Sequence, residues 1–185
     1  MKTIIAGLLM GLIAGSVPAQ NHQILFKVSR KPMESATKTN WQNRWGGSGK
    51  KVSKQMVLEI EIKNMAASND SVTLEWYFVA KSLDRKKLWV FDSGSSLVDL
   101  IPMGVVKLTK ESEDLSVRIA NFPMHSFTRK EGDKVEGYIV RIIDGVKIIA
   151  IDASSQPLEE IGRNDAQLKE LIDEVGSARS QWKRR

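Results

Sequence analysis

Two stretches of strict alternation between apolar and polar side chains constrain the fold of this 185-residue chain more than any other feature. In residues 52–62 and again in residues 72–80, nearly every second side chain is apolar. A period of two buries one face of a β-sheet and leaves the other in water. Turn-forming residues separate the two stretches at positions 66–71 (AASNDS), so we expect the two strands to form an antiparallel hairpin.

Shorter segments extend the β pattern along most of the chain. The clearest hairpin joins residues 135–143 to residues 146–151 through Asp144 and Gly145, because both turn residues tolerate positive φ. We expect the run at 88–91 to end at Asp92 and the Ser and Gly residues after it. Seven or eight short strands at this spacing predict an all-β, antiparallel sandwich. The remaining predicted strands cover residues 23–30, 97–101, 105–108 and 115–120.

The pattern changes to that of a helix after Pro157. Asn164 can cap a helix, Gly176 can end it, and the apolar positions between them recur at helical spacing. A basic segment follows at residues 178–185 (ARSQWKRR). We therefore expect a sandwich domain over residues 20–154, and a short C-terminal helix with a basic tail over residues 155–185.

The N-terminal segment has the form of a secretory signal peptide. Lys2 precedes an uncharged apolar run at residues 3–15, and small residues lead to Ala19. A membrane anchor is the alternative, but about 13 apolar residues fall short of the roughly 20 that span a bilayer. We expect residues 1–19 to be removed after Ala19, and the protein to reach the periplasm, the cell surface or the medium.

Composition narrows the classes of function. The chain has no cysteine, which excludes thiolate metal sites and cysteine nucleophiles, so an exported form must be stabilised by core packing. The net charge of +6 is mild and shows no concentrated basic stripe, so we expect no binding to nucleic acid. No second long apolar run occurs, so we do not expect an integral membrane protein.

Signatures of catalysis and of metal binding are missing from the sequence. His22 and His125 each lack a second histidine at ligand spacing, and no G-x-S-x-G motif occurs. Glu59 and Glu61 share one strand face, where solvated carboxylates are more common than catalytic pairs. We therefore predict a non-enzymatic protein without a metal, a cofactor or catalytic residues.

One segment, residues 40–51 (NWQNRWGGSGKK), is the candidate contact site. It is not a phosphate-binding loop, because Arg44 replaces the required glycine and a strand, not a helix, follows. Exposed indole rings stack on sugars or anchor protein partners. The alternative is that the indoles fold back over the end of the sandwich. The candidate contact residues are Trp41, Arg44, Trp45, Lys50 and Lys51.

The pattern around Trp76 and Tyr138 resembles the immunoglobulin-like sandwich. In that family a strand tryptophan packs in the core, and a tyrosine stands two residues before the second cysteine, here Val140. Asp133 stands five residues before the tyrosine, where the family usually places it at four. The chain also resembles small exported sandwich proteins of outer-membrane bacteria, some of them associated with pilus or secretion genes. The resemblance implies a fold only. The signal peptide, the strand pattern and the lack of a catalytic signature favour a protein-interaction or envelope-assembly module with an envelope protein as partner. The alternative is carbohydrate or peptidoglycan binding through the loop tryptophans.

Overall fold

A computed structural model of the protein describes residues 23–31, 35–42, 48–83, 87–122 and 127–182. These ranges contain ten strands and two helices. The first five strands are β1 (Ile24–Lys31), β2 (Ser35–Gln42), β3 (Ser48–Lys54), β4 (Val57–Asn64) and β5 (Asp70–Ser82). The others are β6 (Leu88–Leu100), β7 (Val105–Glu111), β8 (Leu115–Phe122), β9 (Phe127–Asp144) and β10 (Lys147–Ala153). The helices are α1 (Gln156–Arg163) and α2 (Asp165–Trp182).

The strands form two sheets in which every paired neighbour is antiparallel. The small sheet has the order β1-β4-β7, and the large sheet has the order β2-β3-β8-β9-β5-β6 with β10 paired to β9. The long strand β9 joins the two parts of the large sheet, because its residues 127–132 pair with β8 and its residues 133–143 pair with β5. The predicted all-β sandwich is confirmed, with more strands than the sequence pattern indicated.

The main core lies between the small sheet and one face of the large sheet. From the small sheet, β4 contributes the alternating side chains Leu58, Ile60 and Ile62, which are almost completely buried. From the large sheet, β5 contributes Leu74 and Phe78 to the same cluster. The alternation at residues 72–80 therefore marks the face of β5 that packs against the small sheet.

The two helices cover the opposite face of the large sheet. Tyr77 and Val79 of β5 and Ile139 of β9 form a second core cluster with the helical residues Leu158 and Leu168. Helix α1 packs very close to the sheet, since a Cβ at its Gly162 would lie 2.6 Å from Ile139 Cγ2. With both faces covered, β5 and β9 are buried strands, which explains their near-continuous apolar runs.

The predicted strand at residues 52–62 is two strands, and its predicted hairpin with residues 72–80 is wrong. The chain breaks at Gln55 and Met56: β3 joins the large sheet, and β4 joins the small sheet between β1 and β7. Ser112 fixes the break, because its hydroxyl accepts a hydrogen bond from the Met56 N–H at 2.9 Å. Alternation reports that one face of a strand is buried, but it does not specify which strand lies alongside.

The predicted end of a strand at Asp92 is also wrong, since β6 continues from Leu88 to Leu100. Gly94 lies in the middle of this strand, opposite Trp76 in the register. A Cβ at Gly94 would lie 2.4 Å from the Trp76 indole, so the glycine permits close packing where we had predicted a turn. Trp76 is half-buried beside the main core, and the Lys110 Nζ lies 3.9 Å from its ring centroid.

The predicted start of the C-terminal helix is confirmed, and its predicted end at Gly176 is wrong. The Asn164 side-chain oxygen accepts hydrogen bonds from the N–H groups of Ala166 and Gln167, at 3.1 and 3.3 Å, which is the predicted cap. The helix continues through Gly176 to Trp182. The sequence analysis missed α1, in which Pro157 occupies the first turn, where its missing N–H costs nothing. The predicted signal peptide lies outside the described residues.

A buried arginine ties the helices to the sheet. The Arg141 side chain is only 7% exposed, and its Nη2 donates to Glu75 Oε2 at 2.6 Å. Its Nη1 donates to Asp165 Oδ1 at the start of α2 and to the Gly162 carbonyl oxygen at the end of α1. The Tyr77 hydroxyl also donates to Glu75 Oε2. One guanidinium therefore connects β5, β9, α1 and α2.

Removal of the largest fully buried side chain should be the most damaging of the simple core truncations. Phe78→Ala should lower the free energy of unfolding by about 3–5 kcal/mol, because the cavity adds to the lost transfer free energy. Glu59→Ala should cost less than about 1 kcal/mol, because its ion pair with Lys31 is half-exposed. Urea unfolding measures both, and equal losses would contradict the assigned faces of the two strands.

Loss of the buried arginine should cost more than loss of the whole ion pair. Arg141→Ala should destabilise the protein by about 3–5 kcal/mol, because it leaves the Glu75 carboxylate without its cation. The double variant Arg141→Met with Glu75→Met should recover most of that loss, since no buried charge remains. Asp165→Ala is the matched control, with a small expected effect because Asp165 is 79% exposed. A double variant less stable than Arg141→Ala would contradict this account.

Candidate functional site

Four strands continue the large sheet beyond the sandwich and form the candidate site. We call β2, β3, β8 and residues 127–134 of β9 the basic arm. β3 lies in its middle and pairs along its length with β2 and with β8, and β8 pairs with the first part of β9. Continuous backbone hydrogen bonding through four strands gives the arm an ordered sheet.

The described side chains of β3 and of residues 115–120 add little to either core cluster. Of the side chains that the structure describes in residues 48–54 and 115–120, only Leu115 belongs to a core cluster. The apolar side chains Val52, Val117 and Ile119 are half-buried within the arm itself. Most of the described side chains in these two ranges therefore lie outside both cores.

Cations occupy both faces of the arm. Lys51 lies directly opposite Arg118, so these two exposed side chains share one face. On the other face, Lys50 and Lys130 are both opposite Ile119, which places them two strands apart, at about 10 Å. Like charges in directly opposite positions destabilise a sheet, so the Lys51–Arg118 pair costs some stability that a nearby anion offsets.

The charge of the arm is positive in sum. Its described ranges also include Glu131, opposite Arg118 in the register, and the half-buried Asp133. Neither acid lies on β3, whereas three of the six exposed cations of the arm do. The exposed cations are Lys50, Lys51, Lys54, Arg118, Lys130 and Lys134.

The structure brings together only part of the predicted contact site. Lys50 and Lys51 lie in β3 and are exposed, and Trp41 lies in β2 opposite Gly49. Arg44 and Trp45 lie outside the described residues. Residues 40–42 and 48–51 are hairpin strands, whereas we had predicted a connecting loop.

Sequence reasoning missed the other four cations of the arm. Arg118 and Lys130 are far from Lys51 along the chain, and only the pairing of β3 with β8 and of β8 with β9 joins them. The available signal was the clustering of lysines in residues 50–54 and of basic residues in 129–134, each beside a predicted strand.

A second polar group lies at the edge of the main core. The Tyr138 hydroxyl donates to Asp152 Oδ2 at 3.1 Å, so the tyrosine connects to β10 and not to Asp133. Burial, and then the charge of Asp152, raise the pKa of Tyr138 to about 12. Burial also raises the pKa of Asp152, although the bond from Tyr138 opposes this shift. Tyr138 therefore remains a donor at neutral pH, and burial disfavours the charged form of Asp152.

The remaining acidic side chains do not converge on a centre. In the described part of the chain, no group of three or more His, Asp or Glu side chains could hold a metal ion. Glu59 and Glu61 form half-exposed ion pairs with Lys31 and Lys107 on the outer face of the small sheet. No helix among the described residues is long and apolar enough to cross a membrane.

Comparison with known proteins gives no family for the chain. No family model matches it, and no curated protein matches it. A crystal structure from Akkermansia muciniphila is 16% identical, with a TM-score of 0.31, over 75% of this chain and 76% of that one. A Bacteroides uniformis β-glucuronidase is 9% identical, with a TM-score of 0.31, over 71% of this chain. A second, the β-glucuronidase 2 of that organism, is 7% identical, with the same TM-score, over 62% of this chain.

The chain spans only 15% and 13% of the length of these two glucuronidases. Identities and TM-scores of this size assign neither a family nor an activity to the chain. What is established is the class of fold: an antiparallel β-sandwich with a helical layer on one sheet.

The raised pKa of Asp152 gives a prediction with a definite sign. An acid whose pKa is higher in the folded state favours folding when protonated, and this contribution is lost as the pH rises through the folded-state pKa. Asp152→Asn cannot ionise, and it keeps an oxygen that accepts from Tyr138. It should therefore raise the melting temperature at neutral pH and change it little at acid pH.

Thermal unfolding between acid and neutral pH tests this difference, with the exposed Asp114→Asn as the control. A melting temperature that is lower for Asp152→Asn than for the wild type at neutral pH would show that the ionised form stabilises the fold.

Proposed function

We propose that this protein is an exported, non-enzymatic sandwich module that recognises an anionic protein surface in the cell envelope through its basic arm. One observation carries the proposal: the arm holds cations on both faces, and of the side chains that the structure describes in residues 48–54 and 115–120 only Leu115 belongs to a core cluster. A sheet that carries close like charges is costly to the monomer. A partner that neutralises those charges offsets the cost.

The geometry of the arm suits an acidic protein surface. Lys51 and Arg118 extend from neighbouring strands that hydrogen bonding holds in fixed register, so less conformational freedom is lost on binding. Complementary charge raises the association rate and excludes partners of like charge. Cations on both faces favour a partner that encloses the hairpin over one that lies flat against it.

Export is part of the proposal and follows from the N-terminal sequence. The basic start, the apolar run at residues 3–15 and the small residues before Ala19 support cleavage and release on the far side of a membrane. The resemblance to exported immunoglobulin-like sandwich proteins of outer-membrane bacteria supports an envelope-assembly role, with a pilus or secretion component as one kind of partner.

Charge reversal on β3 tests the proposal. A photo-crosslinking residue at the exposed Asn40, opposite Lys50, should give a discrete adduct with an envelope protein in living cells. Adding Lys50→Glu and Lys51→Glu should remove that adduct and weaken binding of the purified partner at least tenfold, because two attractions become repulsions. Higher salt should weaken wild-type binding.

The matched control is Lys147→Glu with Lys169→Glu, which makes the same change in net charge at exposed positions outside the arm. Both double variants should stay within about 1 kcal/mol of the wild-type stability, because surface changes cost little. If the control variant lost as much binding, the effect would come from net charge and not from the arm. Unchanged binding in the arm variant would overturn the proposal.

Glycan recognition is the competing outcome of the same experiment. If the protein co-sediments with purified peptidoglycan, and if Trp41→Ala or Trp45→Ala abolishes this while Lys50→Glu with Lys51→Glu does not, the arm binds sugar through its tryptophans. Fluorescence of the wild type on addition of peptidoglycan gives an independent measurement of the same contact.

A further inference from the structure

A group of exposed apolar side chains lies at the end of the sandwich where β6 turns into β7. Ile101 is 63% exposed, Met103 62% and Val105 47%. Leu25 of β1, at 59%, stands in the same cross-strand row as Val105, with Lys63 of β4 between them. We call these four residues, with the exposed Pro102, the apolar knuckle. Ile101, Pro102 and Met103 are exposed in succession, and an exposed apolar group of this kind marks a contact surface more often than a single exposed side chain does.

The backbone holds the knuckle in a strained conformation. Met103 has a φ of 54°, in the left-handed region that favours glycine, yet the glycine stands one position later. The turn is closed by the Gly104 N–H, which donates to the Ile101 carbonyl oxygen at 3.1 Å. Two further bonds fix it to the β4–β5 connection: Met103 N–H to the Ala66 oxygen, and Asn64 N–H to the Gly104 oxygen. Strain retained around a large exposed side chain points to a role for that side chain.

Lysines surround the knuckle on the outer face of the small sheet. Lys63 shares the row of Leu25 and Val105, and the next row on this face carries Lys27, Glu61 and Lys107. These two rows therefore carry three cations and one anion, and the Glu61 Oε2 lies 3.4 Å from the Lys107 Nζ. Apolar side chains next to cations complement a surface with hydrocarbon below and negative charge above.

Two acidic side chains at this end, Asp70 and Asp99, belong to the large sheet. Asp99 is opposite Ser71, and its Oδ1 accepts a hydrogen bond from the Ser71 hydroxyl at 2.9 Å. The Asp70 Oδ1 accepts a hydrogen bond from the Ser71 N–H. The small-sheet side is therefore the cationic side of this end.

The chain enters the domain beside the knuckle. The Met65 N–H donates to the Gln23 carbonyl oxygen at 2.7 Å, so β1 starts at this end. The basic arm lies at the other end. In β5, Asp70 is opposite Leu100 at the knuckle end, and Ser82 is opposite Asp133 of β9, next to the arm. The length of β5 between these two residues is roughly 40 Å.

We propose that the apolar knuckle inserts into the surface of an anionic membrane, with Lys27, Lys63 and Lys107 against the lipid headgroups. Met103 and Ile101 are at the tip, and the strained turn keeps Met103 exposed. A few apolar side chains alone give weak, reversible attachment, and a second, electrostatic contribution makes the attachment useful. This inference does not depend on the basic arm, which remains free to bind its partner at the opposite end.

Vesicle sedimentation of the exported protein tests the proposal. The protein should sediment with vesicles of phosphatidylcholine and phosphatidylglycerol in equal parts, and not with phosphatidylcholine alone, and added salt should release it. Met103→Gly should weaken this partitioning about tenfold, because it removes the inserted side chain. The same change should leave the melting temperature equal or higher, since glycine adopts positive φ without strain. Lys107→Gln should weaken the partitioning about fivefold.

Leu97→Asp is the matched control for Ile101→Asp, because Leu97 is 71% exposed in β6, in the row of Thr73 on the large sheet. Only Ile101→Asp should reduce vesicle binding. Equal losses in the two variants, or binding to phosphatidylcholine alone with no response to salt, would overturn the proposal. So would a concentration-dependent dimer that Met103→Gly abolishes, since a second copy would then cover the knuckle. Lys50→Glu with Lys51→Glu should leave vesicle binding intact, which separates this test from that of the arm.

Discussion

The pairing of β5 with β9 is the interaction on which the rest of the structure depends. The two strands run side by side from Thr73 and Ile143 to Ser82 and Asp133, and residues 137–142 of β9 are buried throughout. One face of the pair packs against the small sheet and the other against the helices, so each strand belongs to both cores. Where both faces are covered, the backbone hydrogen bonds of the pair have few alternative partners, which favours a single register. The Arg141 guanidinium adds the helices to this pair through Glu75 and Asp165.

The basic arm depends on the same strand. β9 leaves the core at its N-terminal end and offers its edge to β8, and β3 and β2 follow in order. The cores bury the C-terminal part of β9, and the sheet of the arm is built on the N-terminal part of the same strand. In the proposed function the sandwich supplies stability and the arm supplies the surface that binds a partner. The turn at Met103 is held by two hydrogen bonds: the Met103 N–H donates to the Ala66 oxygen, and the Asn64 N–H donates to the Gly104 oxygen.

The two proposed contact surfaces differ in chemistry and lie at opposite ends of β9. The arm offers charge on an ordered sheet, which suits a specific acidic partner, and the knuckle offers a few apolar side chains near lysines, which suits a fluid surface without fixed geometry. A molecule attached at one end and binding at the other would hold its arm away from the membrane by about the length of the central strands. Each contact is testable without disturbing the other.

The sequence by itself determined what depends on neighbours along the chain. The alternation at residues 72–80, the hairpin at Asp144 and Gly145, and the cap at Asn164 were all predictable, because each arises from local periodicity, turn chemistry or a local hydrogen bond. Only the tertiary structure decided what depends on partners across the sheet. It placed β3 and β4 in different sheets, continued β6 through Gly94 to accommodate Trp76, and joined Lys51 to Arg118. Alternation specifies which side chains are buried, but the neighbour of each strand is selected by the packing of the whole core, which a local pattern does not contain.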